Sequence, residues 1–187
     1  MAESIDIEDS AGTFALINPS CIVYACTAAS FIRGVGFDKE IAKRVTAESG
    51  SLATTTSTAS VAALRELGIE NLAVATPYQS DVATALSDFL TGNGFNVVNL
   101  NHAGSQVFDF KTMTQKEAFE LAKRADSPQA QGLFIACTAL PTVGIIEDLE
   151  QKLGKPVVSA NQASMWHALK IAQAYTKLNG VGSLYKL

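Results

Sequence analysis

The chain has 187 residues, 48% hydrophobic and 17% charged, with a formal net charge of −4. That is enough apolar chain to bury a sizeable core in one domain or two small lobes, which excludes a disordered protein. It carries no lysine or arginine cluster of the kind that binds nucleic acid, and no apolar run of the ~18 residues a membrane span needs.

The three cysteines are an odd count without framework spacing, so free thiols are expected rather than disulfides. There is no Cys-x-x-Cys, and His102 and His167 lie far apart, so no metal site is expected. The start, Met1-Ala2-Glu3-Ser4-Ile5-Asp6, lacks the basic-then-apolar pattern of a signal peptide, and a cytoplasmic protein is the expectation.

Residues 1–20 do not open with the apolar strand usual in α/β proteins. Ile5 to Ile17 mixes acids with Ala11, Phe14, Ala15, Leu16 and Ile17, and the spacing of Phe14 and Ile17 predicts a helix face, ended by Asn18-Pro19. An apolar strand over 21–25 comes next, then a short helix or turn over 28–32 stopped by Gly34 and Gly36. Asp38 is placed to cap a helix through Ile41, Ala42 and Val45 that Gly50 ends. A strand over 52–56 leads into a helix over 58–67, with Val61, Leu64 and Leu67 on one face.

Residues 71–76 form the next buried strand, which ends at Thr76-Pro77-Tyr78. Val82, Leu86, Phe89 and Leu90 mark a helix stopped by Gly92-Asn93-Gly94, and 95–100 is a further strand. Residues 101–113 read as a loop holding His102, Gly104 and Asp109. Thr114-Gln115-Lys116-Glu117 resembles a capping box opening a helix to Ala125. After a strand over 133–136, Pro141 suits the first turn of a helix whose apolar stripe is Ile145, Ile146, Leu149 and Leu153. A strand over 156–159, a last helix over about 162–178 and a loose tail from Gly180 complete the chain. Such alternation implies parallel sheets covered by helices, with ligands beyond the carboxyl ends of the strands.

One stretch occurs twice. Ile22-Val23-Tyr24-Ala25-Cys26-Thr27-Ala28 and Leu133-Phe134-Ile135-Ala136-Cys137-Thr138-Ala139 both read as buried parallel strands ending on Ala-Cys-Thr-Ala, each leading into a helix-like segment. A second pair lies beyond the cysteines: Ala53-Thr54-Thr55-Thr56-Ser57-Thr58 and Val158-Ser159-Ala160-Asn161-Gln162-Ala163, each a short extended segment leading into a helix. The pattern predicts an α/β fold of two related halves facing one another across a cleft, with one thiol from each half. The first lobe is expected to comprise residues 1–50 and 158–187, the second 51–157.

A cysteine at a strand end beside free backbone N–H groups favours a thiolate and can hold an oxyanion, although free cysteines are also common core residues. The shared frame favours the functional reading for Cys26 and Cys137, while Cys21, at the other end of its strand, reads as structural. Thr27 and Thr138 can bind a carboxylate or cap a helix. Tyr78 can donate its phenol hydrogen bond to a carboxylate or sit half-buried. Asn161-Gln162 reads as a helix cap or a support for the cleft, Trp166 and His167 as packing, and His102 as a solvated histidine.

Tyr24-Ala25-Cys26-Thr27-Ala28-Ala29-Ser30-Phe31, Thr76-Pro77-Tyr78, Ala136-Cys137-Thr138 and the run from Gly154 through Asn161-Gln162-Ala163-Ser164-Met165-Trp166-His167 to Leu169 resemble the maleate cis-trans isomerase and arylmalonate decarboxylase group of the aspartate/glutamate racemase superfamily. The resemblance covers the chain from about Pro19 onward. It implies two Rossmann-like lobes with pseudo-two-fold symmetry, no cofactor and a small dicarboxylate or amino-acid-like substrate; a homo-oligomer is also expected. Carried over, Cys26 is the nucleophile and Cys137 the acid/base, with Thr27, Ala28, Tyr78, Thr138 and Ala139 holding the carboxylates and Asn161 behind them. The decarboxylases keep glycine in place of the first cysteine, so a chain with both thiols resembles the isomerases more closely. A two-cysteine amino-acid or hydantoin racemase and a non-catalytic binding or assembly subunit are the alternatives. The group's opening strand and Pro-Ser-Ser-Asn-like loop have no counterpart in residues 1–20, so roughly the first fifth of the pattern is expected to be missing, and part of the substrate clamp with it.

Overall fold

The computed structural model describes residues 7–104 and 112–187. Its strands form two parallel sheets, in the two-lobed α/β arrangement expected. In the smaller, β1 (Ile22–Tyr24) pairs with β2 (Ala53–Thr55), Tyr24 lying opposite Thr55. In the larger, β3 (Asn71–Thr76), β4 (Asn96–His102), β5 (Gly132–Ile135) and β6 (Val157–Ser159) lie in the order β4-β3-β5-β6. The pairing of residues 53–55 with 22–24 gives β2 to the small sheet.

The helices are α1 (Ile7–Ala15), α2 (Thr27–Phe31), α3 (Phe37–Ser49), α4 (Thr56–Glu66), α5 (Ser80–Gly92), α6 (Gln115–Ala125), α7 (Ile146–Leu153) and α8 (Ala160–Ile171). β3 and β5 are central, and Leu72, Ala73, Val74, Ala75, Leu133, Phe134 and Ile135 are all buried. Strands covered on both faces need no polar alternation, which is why both read as unbroken apolar runs. β1 is different: it is only half-buried and Ala25 beyond it is exposed, so the two repeated stretches are unequal. Among the described residues β1 has a strand on one side only.

Local chemistry sets where the helices begin. α4 starts two residues earlier than expected because Thr55 accepts from the Thr58 N–H at 3.1 Å. α8 starts at Ala160 because Ser159 and Gln162 form a capping box. Thr114 and Glu117 form the box expected before α6. α3 is capped by Gly36, at φ +95°, and not by Asp38. Asp38 is instead a buried acceptor for the Thr58 hydroxyl, at 2.6 Å. α7 begins at Ile146, after a 3₁₀ turn over Val143–Ile145, rather than at Pro141.

Both ends of the chain differ from expectation. α1 buries Ile7 and Ala11, while Phe14 and Ile17 face solvent. It lies along α3, where Arg44 Nε and Nη2 donate to the two Glu8 carboxylate oxygens at 2.6 and 2.9 Å. α8 stops at Ile171, well short of Leu178. The tail is docked, not loose: Leu184 and Tyr185 are buried, and Glu150 accepts from the Ser183 N–H and hydroxyl, each at 2.8 Å. The Val157 N–H at the start of β6 donates to the same carboxylate at 3.0 Å.

Hydrogen bonds to a charged acceptor contribute about 1.5–3 kcal/mol each. Glu150 is half-buried, so water replaces part of each bond, and Glu150→Ala is expected to lower the Tm by roughly 4–8 °C, from a net loss of about 2 kcal/mol, and to open the 178–187 segment to limited proteolysis. Thermal melts and timed digestion check this.

Candidate active site

Cys26 is the N-cap of α2, in extended backbone at φ −135° and ψ 108°, and its side chain makes no capping bond. The first-turn N–H groups of a helix have no partner within it, so those of α2, directly after Cys26, can serve as donors to a ligand. Cys26 is half-buried and Thr27 is buried.

Cys137 stands beyond the end of β5 and is buried. Its φ is +103°, a region that glycine tolerates and other residues rarely adopt. Backbone of this kind persists only where the surroundings hold it, and it concentrates at functional sites. The residues after it form a turn instead of the helix the repeat predicts, so the two cysteines do not occupy equivalent helix starts. N–H groups are supplied here by that turn, from Ala139 and Leu140, which reach the thiol.

Burial pushes the Cys137 thiol above its ordinary value, and the nearby Cys26 adds to the rise. The Ala139 N–H and the Tyr78 hydroxyl pull it part of the way back. Tyr78 is itself buried, which holds its phenol well above the usual value, and the Cys137 charge raises it further. Its hydroxyl faces both Cys137 and Thr27. The Thr27 hydroxyl is buried and close enough to bias Tyr78, yet it forms no hydrogen bond of regular geometry among the described residues. A buried polar atom without a settled partner marks a place where a ligand can bind.

Two contacts fix the second turn. Thr138 Oγ1 donates to the Ala25 carbonyl at 3.3 Å, joining the Cys137 turn to the end of the Cys26 strand. Asn161 Nδ2 donates to the Thr138 and Leu140 carbonyls at 3.1 and 3.3 Å. Cys26, Thr27, Tyr78, Cys137, Thr138 and Asn161 thus form one connected group drawn from both sheets. Ala28 is half-buried in the first turn of α2, and Ala139 is exposed in the Cys137 turn.

The remaining candidates lie elsewhere. The Cys21 thiol turns to the Ile22 carbonyl and is pushed up by burial. His102 is exposed at the end of β4, and Asp109 lies outside the described residues. His167 Nδ1 shares a 2.8 Å hydrogen bond with the Thr54 hydroxyl, and burial holds its value down. Trp166 is core. A groove of about 660 Å³ beside α6 contains none of the site residues; the thiols carry the chemistry, so they locate the site. Among the described residues no three metal-binding side chains cluster, and no helix is long and apolar enough to cross a membrane. Sequence reasoning missed the left-handed backbone of Cys137 and the Leu140 N–H, because neither a cysteine nor a leucine signals such geometry.

A family model described as arylmalonate decarboxylase matches residues 4–185. The chain belongs to the arylmalonate decarboxylase family. It is 31% identical over 163 residues to the arylmalonate decarboxylase of Bordetella bronchiseptica, spanning 85% of this chain and 68% of that relative. It is 25% identical over 170 residues to the maleate isomerase of Geobacillus stearothermophilus, spanning 87% of this chain and 68% of the relative. A liganded arylmalonate decarboxylase mutant, glycine to cysteine and cysteine to serine, superposes with a TM-score of 0.91 at 29% identity. The superposition covers 98% of this chain and 79% of that one. The chain's relatives thus include proteins named as decarboxylases and as isomerases, both enzymes, within the superfamily the sequence resembles.

Tyr78 lowers the Cys137 value by hydrogen bonding, so Tyr78→Phe is expected to move the pH midpoint of Cys137 alkylation upward. Iodoacetamide labelling read by peptide mass spectrometry across pH 7–11 checks the direction, with Cys21 as internal reference.

Proposed function

We propose that this protein isomerises a small cis-unsaturated dicarboxylate of the maleate type, without a cofactor, using Cys26 as nucleophile and Cys137 as acid and base. The observation that carries the reading is the pair of unlike thiols in one connected group: Cys26 half-exposed at a helix start, and Cys137 buried with its thiol held protonated. A nucleophile needs access, and a proton donor needs its proton at neutral pH.

In this mechanism the Cys26 thiolate forms a C–S bond to one alkene carbon. The π pair moves to the neighbouring carbon, with its charge delocalised into the attached carboxylate, and Cys137 delivers its proton there. The bond between the two carbons is now single and rotates. Cys137 thiolate then takes the proton back, the double bond re-forms in the trans geometry, and the C–S bond breaks to release Cys26. Thr27, Tyr78, Thr138 and the Ala28 and Ala139 N–H groups hold the two carboxylates while charge builds on the one beside the carbanion carbon.

Decarboxylation of an aryl-substituted malonate is the second reading, favoured by the family description and by the 31% relative. It needs only a proton donor at the carbon that loses carbon dioxide, a role open to Cys137. Racemisation by two opposed thiols remains the third.

Proton NMR with maleate in heavy water separates these. Fumarate is expected with the wild type, and a loss of about 10²-fold or more with Cys26→Ala and with Cys137→Ala. Carbon dioxide from an aryl malonate, undiminished in Cys26→Ala, with no fumarate from maleate, would replace isomerisation by decarboxylation. Solvent deuterium entering an amino acid or hydantoin, again without fumarate, would point to a racemase.

A further inference from the structure

The two halves share more than their cysteines. Thr55 caps α4 by accepting from the Thr58 N–H at 3.1 Å, and Ser159 caps α8 by accepting from the Gln162 N–H at 3.3 Å. Five residues beyond each cap, Ser60 and Ser164 each donate to the carbonyl four residues earlier, both at 2.8 Å. Those matches put the two helices in register, residue 55 with 159 and residue 60 with 164. Ser57 then corresponds to Asn161.

Both corresponding residues hold the same atom. Ser57 Oγ donates to the Thr27 carbonyl at 3.2 Å, and Asn161 Nδ2 donates to the Thr138 carbonyl at 3.1 Å. Thr27 and Thr138 are the residues directly after the two cysteines. Each half secures a second carbonyl as well. The longer amide of Asn161 reaches Leu140 at 3.3 Å by itself. The shorter serine works together with Ser30, whose hydroxyl lies 2.6 Å from Ser57 Oγ, 2.9 Å from the same Thr27 carbonyl and 2.8 Å from the Cys26 carbonyl. Ser30 and Ser57 are buried, and their hydroxyls are satisfied by this cluster.

A trans peptide is planar, so the direction of a carbonyl fixes the opposite direction of the next N–H. Holding the Thr27 carbonyl aims the Ala28 N–H, and holding the Thr138 carbonyl aims the Ala139 N–H. The Ala139 N–H is the one that reaches the Cys137 thiol.

We infer that Ser57 and Asn161 are matched positioning residues, one in each half, that aim the N–H groups beside Cys26 and Cys137 through the intervening threonine carbonyl. In the reaction this rests on the proposed function above, where those N–H groups hold the substrate carboxylates. In the free protein it stands on the hydrogen bonds alone, and it makes the two thiols separately addressable.

The test is site-resolved alkylation. Wild type, Ser57→Ala and Asn161→Ala are treated with iodoacetamide from pH 7 to 11, and labelling at Cys21, Cys26 and Cys137 is read by peptide mass spectrometry. Ser57→Ala is expected to slow labelling of Cys26 about three- to tenfold, the effect of one hydrogen bond, and to leave Cys137 unchanged. Asn161→Ala is expected to move the Cys137 midpoint upward and leave Cys26 unchanged. Ser57→Thr, which keeps the hydroxyl, is expected to restore the Cys26 rate. If Ser57→Ala fails to fold, Ser30→Ala reads the same carbonyls and is expected to slow Cys26 selectively. Unchanged profiles, or both thiols shifting together in either variant, would overturn the inference. The readout needs no turnover, so absence of isomerisation in the wild type would sink the proposed function and leave this result to be judged separately.

Discussion

A cysteine held at φ +103° costs about 1–3 kcal/mol, and the rest of the site depends on what keeps Cys137 there. β5 enters the turn from the centre of the larger sheet, with Ile135 paired to Ala75 on one side and to Ser159 on the other. The Ala136 N–H donates to the Ala75 carbonyl at 2.9 Å, so register is kept up to the residue before the cysteine. Beyond it, Asn161 holds two carbonyls of the turn and Thr138 ties the turn to Ala25. The strained residue is therefore anchored before and after, and from both sheets. That arrangement places a buried thiol beside a turn whose N–H groups face it, without a helix.

The two sheets give the two thiols different surroundings. The larger sheet is covered, so Cys137 loses water and its thiol is pushed up. The smaller sheet has two strands, its β1 is half-buried, and Cys26 at its end stays accessible. Approximate internal duplication has thus yielded two cysteines with unlike environments. On the proposed reading that asymmetry is the division of labour: attack falls to the thiol with access, and proton transfer to the thiol that keeps its proton. A symmetric pair would suit a racemase better, because there each thiol must serve as base in one direction and acid in the other.

Much of this was legible in the residues. β3 and β5 are unbroken apolar runs because helices cover both faces, and such runs are plain in sequence. Thr114 and Glu117 announced their capping box, and the Ala-Cys-Thr-Ala repeat pointed to the residues that meet. The features that were not legible depended on tertiary partners. Asp38 looks like a helix cap, but a neighbouring threonine claims its carboxylate and Gly36 takes the cap. The tail after Gly180 carries no strong pattern, and it docks because Glu150, on a distant helix, offers acceptors to Ser183. The repeat also suggested too much symmetry. Identical tetrapeptides lead into a helix in one half and into a turn in the other, where the chain beyond Pro141 passes through a 3₁₀ turn before its α-helix begins at Ile146.

The most direct test of the two-thiol account is to trap its intermediate. Cys137→Ser keeps the shape of the site and weakens the acid and base, so a covalent adduct formed with maleate should persist long enough for mass measurement. The expected result is one succinyl group per chain, mapped by peptide sequencing to Cys26 and absent from Cys21. No adduct in that variant, or an adduct spread over Cys21 and Cys26 at rates matching a denatured control, would contradict the assignment of Cys26 as nucleophile.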